Sequence, residues 1–332
     1  MSNIMAITGA NGFVGRALCA EAVKRGMVVR GITRSPCILP NGVANIPVGD
    51  VDGDTQWADA LTGCDVVIHL AARVHVMHEY SSDPLAEFRR VNTLGTIRLA
   101  ECASEAGVRR LVNVSTIGVN GPSTPGNLVF TDQDTPRPHN PYSQSKWEAE
   151  QALQRVFLNG RIEVVTVRPP LIYGPGVGGN FLRLLGAVHH GFPLPFGMAD
   201  NCRDLLFVEN FTDFLIVCAF HQSANGATYL LSDGAPMSTK DLLRNLARAL
   251  GVRSRLFSVP TFLLHLLGSA TGHSTELARL LTSLRIDNSK VNCELDWRPP
   301  VTLGEGLQAT ADWYRTSRTQ RKATGRWLFR GE

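Results

Sequence analysis

Ile4-Met5-Ala6-Ile7-Thr8-Gly9-Ala10-Asn11-Gly12-Phe13-Val14-Gly15 begins with an apolar run, passes through a glycine-rich turn and enters a helical pattern. The run is short and β-prone, and the glycines fall where a strand must hand over to a helix. The first N–H groups of such a helix have no partners within it and lie at the positive end of its dipole. An anion is held there, and glycine lets the backbone approach it. Gly9, Asn11, Gly12, Phe13, Val14 and Gly15 are therefore the candidate phosphate contacts. Their spacing is G-x-x-G-x-x-G rather than G-x-G-x-x-G, so the location at the first strand-to-helix junction carries the reading of a dinucleotide turn.

From this turn to residue 170 the chain alternates short β-rich runs with helical patterns. Strands are expected at Ile4–Thr8, Val28–Thr33, Asn45–Val48, Asp65–Leu70, Arg110–Ser115 and Glu163–Arg168. Helices are expected at Gly12–Arg25, Pro84–Glu105 and Tyr142–Leu158. Apolar residues at successive positions, as in Val66-Val67-Ile68, suit strands covered on both faces. The expected fold class is α/β: a Rossmann-type, doubly wound parallel sheet with a smaller C-terminal substrate-binding lobe. The Pro169-Pro170 and Gly174-Pro175-Gly176 breakers mark the crossing, giving 1–170 as the NAD(P)-binding domain and 171–315 as the lobe, with about 205–230 returning to the first. The lobe is expected to hold helices near Phe181–His190, over Thr239–Leu250 with Ser238 as cap and Gly251 as stop, and over Leu303–Thr316.

The 332 residues are 44% apolar and 19% charged, a composition that buries a core and excludes disorder as the main state. No apolar stretch reaches the length of a bilayer span, because Glu209, Asn210 and Asp213 interrupt residues 205–220. Met1 leads into the first strand without a secretory signal, and a cytoplasmic protein is expected. Seven cysteines are scattered singly, which argues against a zinc site, and no metal is expected. The net charge of +4 is too small to mark a nucleic-acid partner. Residues 316–332 are expected to form a basic, flexible tail, preferred as a solvated terminus over a contact with anionic membrane.

About 20 residues past the turn, a dinucleotide site usually offers a carboxylate to the ribose. Here Arg34 stands at that position, a residue suited to a 2′-phosphate, so NADP(H) is favoured over NAD(H). Asp50 and Val51 follow the third strand and are candidates for the adenine edge. Tyr142 and Lys146 lie i and i+4 on one helical face. An ammonium beside a phenol stabilises its anion, which makes the pair a usable proton donor. The fifth strand ends in Val114-Ser115-Thr116 and puts a hydroxyl at the carboxyl edge of the sheet.

The glycine turn, Thr116 and Tyr142-Ser143-Gln144-Ser145-Lys146 together resemble the extended short-chain dehydrogenase/reductases. His69-Leu70-Ala71-Ala72, Val91-Asn92-Thr93-Leu94-Gly95-Thr96 and Arg168-Pro169-Pro170-Leu171-Ile172-Tyr173-Gly174-Pro175 extend the match over roughly residues 4 to 315. The resemblance implies Thr116, Tyr142 and Lys146 as catalytic residues. It adds Leu70, Ala71, Ala72, Asn92, Val114 and Pro169, with Tyr142 and Lys146, to the cofactor contacts. It also implies a homodimer through the helices at 84–105 and 142–158, where Ala100, Ala103, Ala149 and Ala152 allow close approach or simply pack on the sheet.

Arg203-Asp204-Leu205-Leu206-Phe207-Val208-Glu209-Asn210 resembles the segment that holds UDP phosphates in nucleotide-sugar 4-epimerases, with Asn210 in place of the final acid. A salt bridge to Asp204 or to a neighbouring helix is the competing role for Arg203. Arg285 is a second candidate, and Arg73, Thr116 and Asn180 complete the expected substrate contacts. His75 could also face the sugar. Dehydratases of this family carry an Asp-Glu pair after the hydroxyl residue, whereas Ile117 and Gly118 follow Thr116. The expected reaction is NADP(H)-dependent reduction of a UDP-linked 4-keto-6-deoxy-N-acetylhexosamine in surface-polysaccharide synthesis. A UDP-hexose 4-epimerase with tightly held NAD is the alternative, and a non-catalytic dinucleotide sensor the remote one.

Overall fold

The computed structural model describes residues 4–74, 83–158, 160–264, 266 and 274–324. Its main sheet has seven strands, all parallel: β1 (Ile4–Thr8), β2 (Val28–Thr33), β3 (Val43–Pro47), β4 (Val66–His69), β5 (Arg110–Val114), β6 (Glu163–Arg168) and, later in the chain, β9 (Thr228–Leu230). Their order is β3-β2-β1-β4-β5-β6-β9. The order reverses between β1 and β4, which opens a crevice at their carboxyl ends, where ligands bind in such sheets.

Alternation along β4 shows why the sheet is covered on both faces. Val66 and Ile68 join Met5, Ile7, Val112 and Val165 beneath α1 (Phe13–Lys24) and α7 (Val208–Phe220). Val67 points the other way, into a core with Ala6, Leu99, Leu111 and Leu153 under α4 (Gly95–Glu105) and α5 (Pro141–Leu158). The short α2 (Ala58–Leu61) closes the edge of that second core with Trp57.

The helix expected at Pro84–Glu105 is not uniformly α. α3 (Pro84–Phe88) runs through a π-helical turn at Arg89–Leu94 into α4. A π turn spends an extra residue per bond and re-aims the side chains within it, and here it carries the buried Asn92. Of the four alanines considered for close helix contact, Ala152 is half-buried, and the other three are already used within the protomer. Ala100, Ala103 and Ala149 are 0% exposed, so they pack inside the protomer and cannot form a dimer face.

The lobe is built on a two-stranded parallel sheet, β7 (Leu171–Tyr173) with β8 (Leu205–Phe207). Around it stand α6 (Gly179–His189), α8 (Thr239–Leu250), α9 (Ser274–Leu281) and α11 (Leu303–Thr324). Ser238 caps α8 by accepting from Asp241 N, and Gly251 ends it at φ +69°. Residues 208–230 return to the main sheet as α7 and β9. So does the segment around α10 (Ser289–Leu295), whose Val291 and Leu295 share the main core with Trp297. The assignment of all of 171–315 beyond 230 to the lobe is thus corrected. The last helix also outruns its expected end at Thr316, because α11 continues to Thr324.

Candidate active site

The glycine turn closes through Gly12 N donating to Gly9 O at 2.9 Å, and Arg16 N then donates to Gly12 O at 3.0 Å to start α1. Gly9 has φ +66°, and a Cβ there would sit 2.9 Å from Ala71 N. A Cβ on Gly15 would lie 2.2 Å from Gly9 O. The turn is thus a cradle that side chains would fill, with free N–H groups at a helix start, and it fits a pyrophosphate. Gly15→Val is expected to break this packing. Loss of dinucleotide binding by calorimetry, with a destabilisation of about 1–3 kcal/mol in urea unfolding, would show it.

Behind the cradle, the Thr8 hydroxyl accepts from Leu70 N and Ala71 N, both at 3.1 Å. Its proton therefore goes to His69 Nδ1, 2.8 Å away. Thr96 donates to Asn92 O, so His69 Nε2 carries the proton given to Thr96 Oγ1 at 2.9 Å. Burial, with the Lys146 charge second, pushes this imidazole down to about 3. His69 is a neutral strut that ties the Leu70–Ala72 segment to the glycine turn. Leu70, Ala71 and Ala72 stay half-buried at the crevice.

At the far end of β2 and β3, Arg34 and Asp50 meet at 3.0 Å, exposed at 75% and 64%. The pair is hydrated and worth little as it stands, which leaves the guanidinium available to a phosphate. Val51 is half-buried beside it.

Asn92 uses its whole amide within the protein. Nδ2 donates to Arg73 O and to Ser145 Oγ, each at 3.0 Å, and Oδ1 accepts from Arg73 N at 2.8 Å. Ser145 Oγ in turn donates to Tyr142 O at 2.8 Å. Asn92 thereby clamps the segment after β4 to the first turn of α5 and positions the crevice rather than offering a free donor. Arg73 lies over the Phe88 ring at 5.5 Å, and Phe88 meets Tyr142 edge-on at 6.1 Å.

Thr116 follows β5 and accepts from Gly118 N at 3.2 Å. Pro169 O holds the same turn through Ile117 N at 3.0 Å, and Val114 is half-buried at the strand end. Tyr142 and Lys146 sit on α5 as their spacing requires. The expected lowering of the phenol by the ammonium is corrected: burial raises Tyr142 to about 12 and lowers Lys146 to about 8. Glu150, one further turn along, is the charge that supports the protonated lysine.

Glu150 belongs to a set that the sequence reading missed. It is paired with Arg168 by contacts of 2.5 to 3.1 Å, both side chains being 5% exposed. Ser115 Oγ donates to Glu150, and Arg168 Nη1 donates to Asn120 Oδ1 at 3.0 Å. Trp147 covers the guanidinium at 5.7 Å. The continuation of the Tyr142–Lys146 period to Glu150 was the available signal.

In the lobe, Arg203 pairs through its backbone with Met237 and Leu284, placing Arg285 on the same strip. The Arg203 guanidinium donates to Thr282 O and Oγ1 at 3.1 and 3.3 Å. Burial first, then the Arg279 charge, lowers it to about 10. The competing salt bridge is not formed: Asp204 instead accepts from Ile286 N at 2.9 Å. The Arg203 and Arg279 guanidiniums lie close enough to repel each other, and an anion bound between such groups would relieve that repulsion. Asn180 is exposed at the first turn of α6, and the Gly176 loop before it packs against Phe13 of the cofactor turn. His75 lies outside the described residues. Among the described residues no His, Cys, Asp or Glu cluster suits a metal, and no helix is long and apolar enough to cross a membrane.

Residues 5–231 match the model of the NAD dependent epimerase/dehydratase family. The UDP-glucose 4-epimerase of Vibrio cholerae is 37% identical over 313 residues, covering 94% of this chain and 95% of the relative. A 4-hydroxy-2-methyl-3-oxo-4-farnesyl-3,4-dihydroquinoline-1-oxide ketoreductase of Stigmatella aurantiaca is 30% identical over 264 residues, 76% of this chain and 75% of that protein. The solved structure of MoeE5 in complex with UDP-glucose and NAD is similar at a TM-score of 0.76 and 28% identity, over 96% of this chain and 100% of that one.

Proposed function

The chain belongs to the NAD dependent epimerase/dehydratase family, and from that premise we propose that it uses NADP(H) to reduce the C4 keto group of a UDP-linked 4-keto-6-deoxy-N-acetylhexosamine. The product is UDP-N-acetylquinovosamine or its C4 epimer. The class is that of oxidoreductase-type enzymes acting on nucleotide sugars with a dinucleotide. The observation that carries the reductive direction is Arg34, an exposed guanidinium where a carboxylate would otherwise meet the ribose. A cofactor consumed in each turnover must exchange, and a 2′-phosphate is what an arginine there recognises.

When bound, the reduced nicotinamide supplies the hydride for C4. Gly9, Gly12 and Gly15 hold the pyrophosphate, and Lys146 holds the ribose beside Tyr142. Thr116 donates to the sugar oxygen as negative charge grows on it, and Tyr142 gives that oxygen its proton. Arg203 and Arg285 receive the UDP phosphates. The homodimer is part of the same reading, with Leu94, 50% exposed on the π turn, rather than the buried alanines as an apolar contact.

The Vibrio cholerae relative favours a second reading, a UDP-hexose 4-epimerase with tightly held NAD. One experiment separates the two: absorbance of NADPH and of NADH with the keto sugar, beside UDP-galactose and UDP-N-acetylgalactosamine without added cofactor. Oxidation dependent on the keto sugar is expected, faster with NADPH. Arg34→Asp is expected to move the NADPH/NADH preference toward NADH by about tenfold or more, the worth of one charge-assisted hydrogen bond. Interconversion of the hexoses without net oxidation would establish the epimerase instead.

A further inference from the structure

Thr116 and Tyr142 must reach the same oxygen, yet they come from the end of β5 and the start of α5, joined by more than twenty residues of mostly irregular chain. The last four residues of that connection touch both ends. Arg137 N donates to Val119 O at 2.8 Å, pinning the connection to the turn after Thr116. Two residues on, the His139 ring rests against Gly118. A Cβ built on Gly118 would lie 3.5 Å from His139 Cε1, 3.4 Å from Thr116 Oγ1 and 3.4 Å from Ser143 Cβ.

The α5 side of this junction is also fastened. Asn140 Oδ1 accepts from Ser143 N at 2.8 Å, and Asn140 O accepts from Gln144 N at 2.9 Å, which makes Asn140 the N-cap of α5. Ser143 Oγ accepts from His139 N at 3.0 Å and Asn140 N at 3.2 Å, and donates to Asn140 O at 3.1 Å.

The cap fixes the state of the histidine. With Oδ1 committed to Ser143, the Asn140 amide presents Nδ2 to His139 Nε2 at 2.9 Å. Nε2 is therefore an acceptor, and the ring proton is on Nδ1. Burial, the largest influence, favours the neutral ring; the Gly118 backbone, which attracts the remaining N–H, opposes it in part, and the Arg279 charge on α9 adds a smaller push toward neutrality.

We propose that His139 is a positioning residue that sets the gap between the Thr116 and Tyr142 hydroxyls. It bridges the Gly118 turn to the Asn140 cap as a neutral Nδ1–H imidazole. This rests on the reading of those two hydroxyls as the groups that meet the sugar oxygen. A two-ended spacer matters most where both hydroxyls must be placed at once, in the transition state, so its loss is felt in kcat more than in KM.

The test is steady-state kinetics of His139→Ala and His139→Asn beside Tyr142→Phe. His139→Ala is expected to lose about 10- to 100-fold in kcat, with both KM values and the melting temperature little changed. His139→Asn, which keeps an N–H donor at the Nδ1 position, is expected to recover most of that loss. Should His139→Ala fail to fold, Asn140→Asp serves instead: it keeps the capping oxygen, removes the donor to Nε2, and is expected to lower kcat in the same way. Wild-type kcat in His139→Ala, or equal losses in the Ala and Asn variants, would overturn the spacer while an inactive Tyr142→Phe kept the catalytic reading. Full activity in Tyr142→Phe would remove that reading and the spacer with it.

Discussion

Tyr142→Phe is expected to lower kcat by about 10²- to 10⁴-fold, the range of a lost general acid, with KM for the dinucleotide unchanged. The phenol is raised to about 12 by burial, so it is fully protonated at neutral pH and ready to give its proton to a reduced sugar oxygen. Removing one hydroxyl from the half-buried ring leaves its edge contact with Phe88 intact, and the fold is expected to survive. Lys146 sets the alkaline limit of the same step. Its ammonium, lowered to about 8 by burial, is present below that pH and lost above it. Activity that needs the cation therefore falls as pH rises through about 8. A pH–kcat profile measures this, and undiminished turnover at pH 10 would remove Lys146 from the step.

The second large effect is on stability. Glu150→Ala is expected to destabilise the protein by about 3–5 kcal/mol, because it leaves the Arg168 guanidinium buried without its counter-charge. Ser115 and Asn120 were satisfied within the same network, and neither can neutralise the cation. The midpoint of urea unfolding checks this value, and a change below about 1 kcal/mol would mean that Arg168 finds water or another partner. Glu150→Gln provides a separate readout on chemistry. Loss of the carboxylate withdraws the charge that supports protonated Lys146, so the alkaline limb of activity is expected to move to lower pH. A merely structural Glu150 would leave that limb in place.

These two residues differ in how readable they were. Tyr142 and Lys146 announce themselves through a spacing that puts both on one helical face, whatever the rest of the fold does. Glu150 continues that period, yet a glutamate in a helix is ordinarily solvated, and only the arrival of Arg168 from β6 makes it buried and paired. Arg203 gives the opposite lesson. Its neighbour Asp204 looks like a partner in sequence, but adjacent residues on an extended segment point apart, and Asp204 is turned instead to the backbone of Ile286.

The strand pattern and the strand-to-helix glycine turn were determined by the sequence alone, because periodicity and the need for a backbone without Cβ are local properties. β1, β2 and β6 have the expected bounds, and α8 has its expected cap and stop. Tertiary structure decided what local chemistry leaves open. The π turn swings Asn92 onto Ser145, the neutral tautomers of His69 and His139 follow from partners distant or differently oriented, and Ala100, Ala103 and Ala149 of α4 and α5 are spent on packing within one protomer. Each of these depends on which group from elsewhere arrives within hydrogen-bond or van der Waals distance, and only the folded chain fixes that.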